Sequence, residues 1–571
     1  MHWSRLNATS PLDGADPDDG VNTPAEGERG MIRAVRVRWL EARVHFDAFR
    51  FDPLGYLQGV AWRLRGLRLR SRHRFGALMG RSPLAYELWI ARVERGLFAD
   101  LLRDPPPDRV PSILVVVDCV GEAGSAPATL RSLEGAGPVN LVGIGCHESS
   151  GRSLSKPADL SGIVDEAGTW VCAVAAGDQL TLEGLAIYAR AAATANDAWV
   201  IYSDDDLIDG ARRSAPHFKP SWNSDLFKHH DFVTGAAIIR VTPEMVSDAA
   251  GPDWMRQVTR RAIQRGSEPL RLPVVLHHRR RRPQPSLPAK QQPIVPPDAP
   301  TVSIIVPTRD RLAYLRNCIE GVRRTNYPAF EIVVIDNESS EPETIDYLRE
   351  LELSGVRVLE VRGAFNFSAL NNLAVEHAQG ELLCFLNNDV EFADPHWLAL
   401  LVHQAIRPEL GAVGARLLYP DRSIQHAGVV TGVGGGAAHA HRFVREDENG
   451  YFLRHWLPQK VSAVTAACLV VEKRKFLAVG GFDAEQFPVA FNDVDLCLKL
   501  NAAGWHSFYE PRATLVHHES KSRGSDRSRA NRARFAGELA ALKLRWGTDR
   551  ERDPFHHPQL SPFCEQFHIA V

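Results

Sequence analysis

Residues 381–389 read ELLCFLNND, an apolar run that ends in two asparagines and an aspartate. Two earlier apolar runs also end in polar residues, VSIIVPTRD at 302–310 and EIVVID at 331–336. Short apolar strands that alternate with helical stretches predict an open, mostly parallel α/β sheet. Because such sheets bind ligands at the carboxyl ends of their strands, the polar ends predict a nucleotide crevice. A carboxylate at this edge also suits a divalent cation that bridges a diphosphate.

The composition is that of an ordinary globular protein. The chain has 571 residues, 44% of them hydrophobic and 24% charged, which predicts two or three domains. A net charge of −2 gives no reason to expect a nucleic-acid partner. No apolar stretch approaches the roughly 20 residues of a membrane span, and the amino terminus lacks the apolar core of a secretory signal. Eight scattered cysteines without a C-x-x-C pair favour buried, reduced thiols in a cytoplasmic protein over disulfides or a zinc site.

Shifts in composition divide the chain into six segments. We predict a disordered tail at 1–30, a basic helical extension at 31–110, a first α/β domain at 111–282, a proline-rich linker at 283–300, a second α/β domain at 301–525, and a C-terminal helix and tail at 526–571. Each α/β segment opens with a short apolar strand and closes on a His-His pair, at 277–278 and at 517–518. This repetition indicates an internal duplication.

Residues 31–81 form the most basic part of the chain. They contain twelve arginines against three acids, Glu41, Asp47 and Asp52, with aromatic and leucine side chains interleaved. A stretch of this kind can lie on an anionic membrane surface. The alternative is a solvated helical extension that packs on the next domain, because the charges do not fall cleanly on one face of a helix.

Two aspartates that follow apolar strands are candidate ligands. Asp389 would bind a metal and a diphosphate, or else cap the next helix. Asp336 would accept a hydrogen bond from a base or a ribose, or else form an Asx turn. The polar run at 387–389 is longer than one cap requires, which favours the functional interpretation there.

Two further clusters carry candidate chemistry. Asp493 opens a helix and would be a general base, although acids in a first turn also stabilise the helix dipole. His517 follows an apolar strand and would complete a metal shell, or else belong to a pair of surface histidines with His518. Lys521 and Arg523 would then neutralise a leaving diphosphate.

At these residues the second α/β segment, 301–525, strongly resembles the family 2 glycosyltransferases, whose GT-A fold is the Rossmann-like fold of nucleotide-diphospho-sugar transferases. The subset that it resembles most is the bacterial rhamnosyltransferase-type and O-antigen or cell-wall enzymes. The matching stretches follow one another in order: VSIIVPTRDR, EIVVIDNES, FNFSALNN, LLCFLNNDV, IQHAGVV, VTAACLVV, GGFD, AFNDVDLCLKL and HHESKSRG. The resemblance implies an inverting hexosyltransferase that needs Mn²⁺ or Mg²⁺ and a nucleotide-sugar donor, dTDP-rhamnose being one candidate. The implied acceptor is a growing cell-surface glycan or a lipid-linked glycan.

The resemblance also implies roles for individual residues. Asp389 would be the last acid of the D-x-D metal motif, with Asn387 in place of its first acid, and His517 would be the second metal ligand. Asp493 would be the base, with Asn492 replacing the usual glutamate before it. The implied nucleotide-sugar site consists of Pro307, Thr308, Arg309, Asp336, Asn371, Asn388 and Asp389.

The first α/β segment, 111–282, resembles the same fold in a degenerate form. The expected D-x-D position reads Ala175-Ala176-Gly177, followed by Asp178, and the nucleoside acid falls near Cys146-His147. Without a carboxylate for a metal, we expect this domain not to transfer sugar. The acidic run at 204–206 is interpreted as a structural or acceptor feature.

The predicted protein is therefore a cytoplasmic glycosyltransferase of two tandem GT-A domains behind a helical extension. The extension at 31–81 would hold it peripherally on the inner face of the cytoplasmic membrane. The alternative is a non-catalytic glycan-binding or scaffolding protein built from two decayed GT-A domains. The altered D-x-D positions favour that alternative, whereas the ordered acid, histidine and base of the second segment favour the enzyme.

Overall fold

The computed structural model describes residues 24–120, 126–136, 139–146, 152–195, 197–289, 298–518 and 529–571, with the backbone alone at 24–30 and 529–530. These residues divide into two compact units. The first runs to Gln284 and includes 557–561 and 568–571, and the second comprises 285–556 and 562–567. Within the described residues, no helix combines the length and the apolar character that crossing a bilayer requires.

The first unit begins with helices. They are α1 (Pro24–Phe51), α2 (Pro53–Leu64), α3 (Arg68–Met79), α4 (Ala85–Trp89), a π-helical turn (Ile90–Glu94) and α5 (Arg95–Leu102). Helix α1 thus starts inside the predicted disordered tail, while residues 1–23 lie outside the described residues.

The rest of the first unit is a twisted sheet with its helices. The elements are β1 (Ile113–Asp118), α6 (Ala126–Leu133), β2 (Asn140–Ile144), β3 (Arg152–Leu154), β4 (Thr169–Ala175), β5 (Gln179–Leu180), α7 (Gly184–Thr194), β6 (Val200–Asp209), β7 (Arg212–His217), α8 (Ser224–His229), β8 (Ala237–Val241), α9 (Pro243–Val246), α10 (Trp254–Arg265) and β9 (Leu270–Arg279). The strand order is β3-β2-β1-β4-β8-β6-β9-β5, with β7 beside β6.

The second unit repeats this plan. Its elements are β10 (Val302–Thr308), α11 (Leu312–Arg323), β11 (Phe330–Asp336), α12 (Pro342–Leu353), β12 (Arg357–Glu360), α13 (Phe367–His377), β13 (Leu382–Leu386), β14 (Val390–Phe392), α14 (Trp397–Ala405), β15 (Leu410–Leu418), β16 (Ile424–His426), β17 (Val429–Thr431), β18 (Ala437–His439), β19 (Gln459–Val461), β20 (Cys468–Glu472), α15 (Lys473–Ala478), α16 (Asn492–Ala502), β21 (His506–His517) and α17 (Arg529–Trp546). The order β12-β11-β10-β13-β20-β15-β21-β14 matches that of the first sheet strand for strand. The predicted fold class, two tandem α/β domains behind an N-terminal helical extension, is confirmed.

The core of the second unit follows from the patterns in its sequence. Every residue of β13 is buried, as expected for a strand that is covered on both faces. Helix α11 buries Leu315, Cys318, Ile319 and Val322, whose spacing puts them on one helical face. Strand β10 lies parallel to β11 and β13, so the carboxyl ends of all three reach one edge of the sheet.

One expectation from the cysteine pattern is wrong. Cys119 and Cys146 form a disulfide, with their Cα atoms 5.4 Å apart. They lie 27 residues apart in sequence, but Cys119 directly follows β1 and Cys146 lies two residues beyond the adjacent parallel strand β2. The other six cysteines are buried.

Candidate active site

The carboxyl ends of β10, β11 and β13 gather the predicted nucleoside ligands. Thr308 lies beside Asp336 in the parallel register of β10 and β11. The amide of Asn388, just beyond β13, donates a hydrogen bond to the Thr308 hydroxyl over 2.9 Å. Pro307 is half-buried at the same edge and Arg309 is exposed. The structure therefore brings these five predicted residues to one rim.

The carboxylate of Asp336 already has a local partner. It accepts hydrogen bonds from the backbone N–H of Ser339, over 3.1 Å, and from the Ser339 hydroxyl. Burial raises the pKa of Asp336, while these bonds oppose the rise. The Asx-type turn weighed from the sequence is thus present, and it orients the carboxylate at the strand end.

Asn371 is placed differently from the other predicted ligands. It is fully buried in α13, and its amide donates to the carbonyl of Phe367 in the same helix over 2.7 Å. Its amide nitrogen is therefore bonded within the helix, while its amide oxygen is buried without a hydrogen-bond partner among the residues described.

Asp389 and His517 are brought together by sheet pairing. Asp389 directly precedes β14, whose first residue, Val390, pairs with His517 in β21. As a result, Oδ1 of Asp389 lies 3.0 Å from Nε2 of His517. The amide of Asn387 lies 3.1 Å from the same ring nitrogen. Asp389 and His517 are both buried.

Gln425 fixes the orientation of this histidine, a role that the sequence did not reveal. Its Oε1 lies 2.6 Å from Nδ1 of His517. An amide oxygen can only accept, so Nδ1 donates to it. This contact aims Nε2 at Oδ1 of Asp389, so that a cation bound between them would have both atoms as ligands.

The Asp389 and His517 pair suits a cation that is shared with a substrate. Among the described residues, no group of three or more histidines, cysteines or acids forms a metal-binding cluster. Magnesium-type sites commonly use one or two protein ligands and fill the other positions with phosphate oxygens and water. One carboxylate and one imidazole therefore fit a divalent cation that arrives with a diphosphate.

The flanking charges predicted beyond β21 are only partly described. His518 turns to Glu391, with 2.8 Å between Nε2 and the carboxylate. Lys521 and Arg523 lie outside the described residues, so their predicted role stays a prediction.

Asp493 opens α16 and is held by backbone groups. One carboxylate oxygen accepts from the N–H of Ala466 over 3.1 Å, and the other accepts from the N–H of Val494 over 2.8 Å. Burial raises the pKa of Asp493, and the hydrogen bonds, including one from Thr465, oppose the rise. The residue remains partly accessible.

The segment Thr465–Ala467 connects the candidate base to the candidate metal pair. Ala466 donates to Asp493, and the carbonyl of the next residue, Ala467, accepts from the N–H of Asn387 over 3.0 Å. One short segment thus bonds on one side to Asp493 and on the other to the run that carries Asp389. The Asp389 and His517 pair is thus connected to Asp493 through the backbone of residues 465–467.

A neutral histidine lies behind this segment. His426 is fully buried, its Nδ1 is 2.8 Å from Nδ1 of His439, and its Nε2 accepts from the N–H of Thr465 over 3.4 Å. Burial, and then the neighbouring His439 and His517, hold the pKa of His426 well below its usual range. The motif IQHAGVV contains both Gln425 and His426, but its spacing gives no sign of either contact.

The first unit keeps the equivalents of the Asp and His pair, which corrects the prediction of a lost carboxylate. Asp178 directly precedes β5 as Asp389 precedes β14, and the first residue of β5 pairs with His278 of β9. Here the carboxylate of Asp178 accepts from the N–H of Arg280 over 2.7 Å and lies 3.8 Å from the guanidinium of Arg279. Nδ1 of His278 lies 2.8 Å from Asp206.

Buried charges fill the rest of that edge in the first unit. Asp205 lies 2.8 Å from Lys219 and also pairs with Arg282, while Asp206 binds Tyr86 and Arg213, each over 2.6 Å. Asp204 lies 2.7 Å from His557. The acidic run at 204–206 is therefore structural, in line with the interpretation from the sequence.

The predicted nucleoside acid of the first unit is also replaced. Its position falls at Cys146, which follows β2 and is bonded to Cys119 beyond β1. His147 lies outside the described residues. A covalent link therefore joins the ends of β1 and β2. The corresponding strands of the second unit are β10, which carries Pro307, and β11, which carries Asp336.

Comparison with known proteins relates part of this chain to one protein family. Residues 303–474 match the family model described as Glycosyl transferase family 2. An uncharacterized protein of Sinorhizobium fredii is 38% identical over 450 residues, which are 69% of this chain and 48% of that protein. An O-antigen biosynthesis protein of Myxococcus xanthus is 33% identical over 492 residues, 77% of this chain and 38% of that protein.

A shorter match is to a named glycosyltransferase. The N-acetylglucosaminyl-diphospho-decaprenol L-rhamnosyltransferase of Mycobacterium tuberculosis is 33% identical over 147 residues, 24% of this chain and 48% of that enzyme. A solved structure of a mannosyltransferase from Pyrobaculum calidifontis, in complex with GDP-Man and Mn²⁺, superposes on 47% of this chain and on 71% of its own. The TM-score is 0.34 and the sequence identity is 20%, which is too low to support an inference. The chain spans about half, or less, of the length of these curated relatives. The match to the Glycosyl transferase family 2 model lies within the second unit.

Proposed function

We propose that the second unit transfers a sugar from a nucleotide-sugar donor to a hydroxyl of a glycan. The observation that carries the proposal is the shared attachment of Asp493 and the Asp389 run to the segment Thr465–Ala467. It links a candidate base to a candidate cation site through one short backbone segment, and the family 2 match covers this segment and Asp389. A displacement of a nucleoside diphosphate by an alcohol needs these two groups at one site.

The rim at β10, β11 and β13 would hold the donor. Asp336, with Thr308 and Asn388 next to it, offers polar groups to a base and a ribose at the strand ends. Asp389 and His517 would hold Mn²⁺ or Mg²⁺. The bound cation would neutralise the charge that develops on the departing diphosphate.

Asp493 would take the proton from the acceptor hydroxyl. Its two backbone hydrogen bonds fix the carboxylate, and each oxygen keeps a further lone pair for the acceptor. A raised pKa makes the carboxylate a stronger proton acceptor. Attack from the side opposite the departing diphosphate would invert the anomeric centre.

The names of two relatives support a finer proposal for the substrates. A deoxysugar donor such as dTDP-rhamnose and a lipid-linked or cell-surface glycan acceptor agree with the names of the rhamnosyltransferase and of the O-antigen protein. A peripheral position on the inner face of the cytoplasmic membrane would bring the enzyme to such an acceptor.

For the first unit we propose a non-catalytic role. Its Asp178 faces a guanidinium and its nucleoside position is crosslinked. The alternative from the sequence, a glycan-binding or scaffolding protein, thus applies to this half of the molecule.

The experiment is a thermal-shift screen of nucleotide sugars with Mn²⁺ on the full chain. The true donor at 100 times its Kd should stabilise the protein by about 2.7 kcal/mol. Asp389→Asn should abolish the Mn²⁺-dependent part, and the matched Asp178→Asn variant in the first unit should keep it. A donor that stabilises both variants alike, or no stabilising nucleotide sugar at all, would refute the assignment.

A further inference from the structure

Helix α1 exposes an apolar stripe on the side that faces away from the first unit. Ile32, Trp39 and Phe46 recur every seven residues and are 62%, 57% and 49% exposed. Val35 and Phe49, which flank Ala42 at the same interval, are exposed as well. This spacing is that of the two apolar positions of a heptad, so the side chains form one continuous line along the helix.

The opposite face of the same helix is already in use. Leu40 and Val44 are buried against Leu88 of α4, and Ala48 is also fully buried. The helix thus has two apolar faces, which explains why its sequence shows no single amphipathic pattern. Because the inner face fixes α1 on the unit, the outer stripe is presented at the surface.

The flanks of the stripe are basic. Arg36, Arg43 and Arg50 also recur every seven residues along one side, and Arg38 borders the other side. The three acids of this segment have partners: Glu41 pairs with Arg92, Asp52 pairs with Arg74, and Asp47 accepts from the Ser82 hydroxyl. The stripe is therefore bordered by positive charge.

A second copy of the chain is a poor occupant of this face. In a heptad pair, the residues that flank the apolar line face those of the partner helix. Here they would set arginine against arginine in either orientation, and like charges in contact are destabilising. The occupant must carry negative charge.

Exposed apolar side chains continue beyond α1. Of the 23 large apolar side chains that are exposed in the described chain, twelve fall within residues 31–69. Leu54 in α2 and Leu64 at its end are 81% and 84% exposed, and Leu69 in α3 is 54% exposed. Arginines 63, 65, 68, 70 and 72 accompany them. A single partner helix would cover the stripe of α1 alone, whereas a lipid surface can accept side chains from several neighbouring helices.

We propose that the outer stripe of α1, with the exposed leucines of α2 and α3, docks the first unit on an anionic lipid bilayer. Trp39, Phe46 and the leucines would enter the boundary between headgroups and acyl chains. The arginines would bind the lipid phosphates, and α1 would lie in the plane of the interface. This docking does not depend on sugar transfer.

The test is sedimentation of the full chain with vesicles, without any nucleotide sugar. Vesicles of phosphatidylcholine alone are compared with vesicles of phosphatidylcholine and phosphatidylglycerol, at two salt concentrations. We expect binding to the anionic vesicles only, and weaker binding at higher salt.

Two variants separate the apolar and the electrostatic parts. Arg36→Gln with Arg43→Gln and Arg50→Gln should weaken binding on the order of 100-fold, because each arginine near an anionic surface contributes roughly fivefold. Trp39→Ser with Phe46→Ser should weaken it as well. The controls remove the same charge or apolar surface elsewhere: Arg349→Gln with Arg474→Gln and Arg550→Gln, and Leu353→Ser with Leu544→Ser.

The proposal is overturned if the parent protein binds neutral vesicles equally well, binds neither kind, or loses no affinity in the two test variants. Analytical ultracentrifugation covers the other occupant. Self-association that disappears in the Trp39 and Phe46 variant would assign the face to a second copy instead. Circular dichroism melting of each variant confirms that the fold is retained.

Discussion

The same pair of side chains, an aspartate before a short edge strand and a histidine on the long strand beside it, occurs in both units with opposite surroundings. In the second unit, Oδ1 of Asp389 lies 3.0 Å from Nε2 of His517. In the first, Asp178 faces Arg279, and His278 points Nδ1 at Asp206. The sheet topology determines the positions of these residues, but the charges of the neighbouring side chains determine which ligands they can bind.

The difference lies in the source of positive charge. The first unit supplies its own, with Lys219, Arg279 and Arg282 around Asp205. Burial alone would raise the pKa of Asp205, but these three cations outweigh it and hold the pKa well below its usual range. In the second unit the aspartate before the edge strand faces His517, and the proposed cation would add positive charge there.

The largest expected effect comes from removing the base of the second unit. Asp493→Asn should lower kcat by about 10²–10⁴-fold while the Kd of the donor stays unchanged. Since the carboxylate must be ionised and burial raises its pKa, kcat/KM of the parent should fall on the acid side at a pH above that of an ordinary aspartate. Steady-state kinetics with a pH profile checks both points. Full transfer by the variant would end the assignment.

Next is the ionic cluster of the first unit. Asp205→Asn leaves Lys219 buried beside two arginines, and breaking a buried pair on one side typically costs about 3–5 kcal/mol. A large drop in melting temperature is expected, measured by calorimetry. Asp346→Asn, which removes the partner of Arg349 on the surface, is the control and should cost under about 1 kcal/mol. Equal effects of the two substitutions would contradict a structural role of the cluster.

A smaller effect should follow from freeing His517. Gln425→Leu removes the acceptor that holds Nδ1, and losing such a partner typically weakens metal binding by about 10–100-fold. Titration with Mn²⁺, followed by its electron paramagnetic resonance signal, measures the change. Gln425→Glu, which keeps an acceptor oxygen, should restore most of the affinity. Gln404→Leu removes another buried glutamine of the same unit and should leave the affinity unchanged.

The smallest expected effect is a pH dependence in the first unit. Burial raises the pKa of Asp178 to about 6, against the pull of Arg279. A carboxyl whose pKa is raised on folding binds more protons in the folded state, so its contribution to stability falls as pH rises from about 4 to about 6. Asp178→Asn should therefore gain melting temperature relative to the parent over that range. A difference in melting temperature that does not change with pH would contradict a raised pKa of Asp178.

Strand patterns and motif order predicted much of this molecule. Apolar runs that end in polar residues placed Thr308, Asp336 and Asn388 at one edge, because parallel strands end together. The link between Asp389 and His517 rested on the family resemblance, and pairing of β14 with β21 brings the two together.

Contacts between distant parts of the chain escaped prediction. Gln425 and His517 are 92 residues apart, and no local pattern connects them. The D-x-D position expected from the sequence, 175–177, ends one residue before Asp178. The strand register instead aligns Asp178 with Asp389. Cys119 and Cys146 appeared unrelated until β1 and β2 were seen to be neighbours.

The last residues of the chain complete the first unit. Residues 557–561 and 568–571 belong to it, and His557 meets the buried Asp204. On the ribosome, domains generally fold as units and the N-terminal one folds first. Here residues 557–561 and 568–571 are synthesised after the main part of the second unit. The first unit can therefore reach its complete contacts only after most of the second unit has been translated.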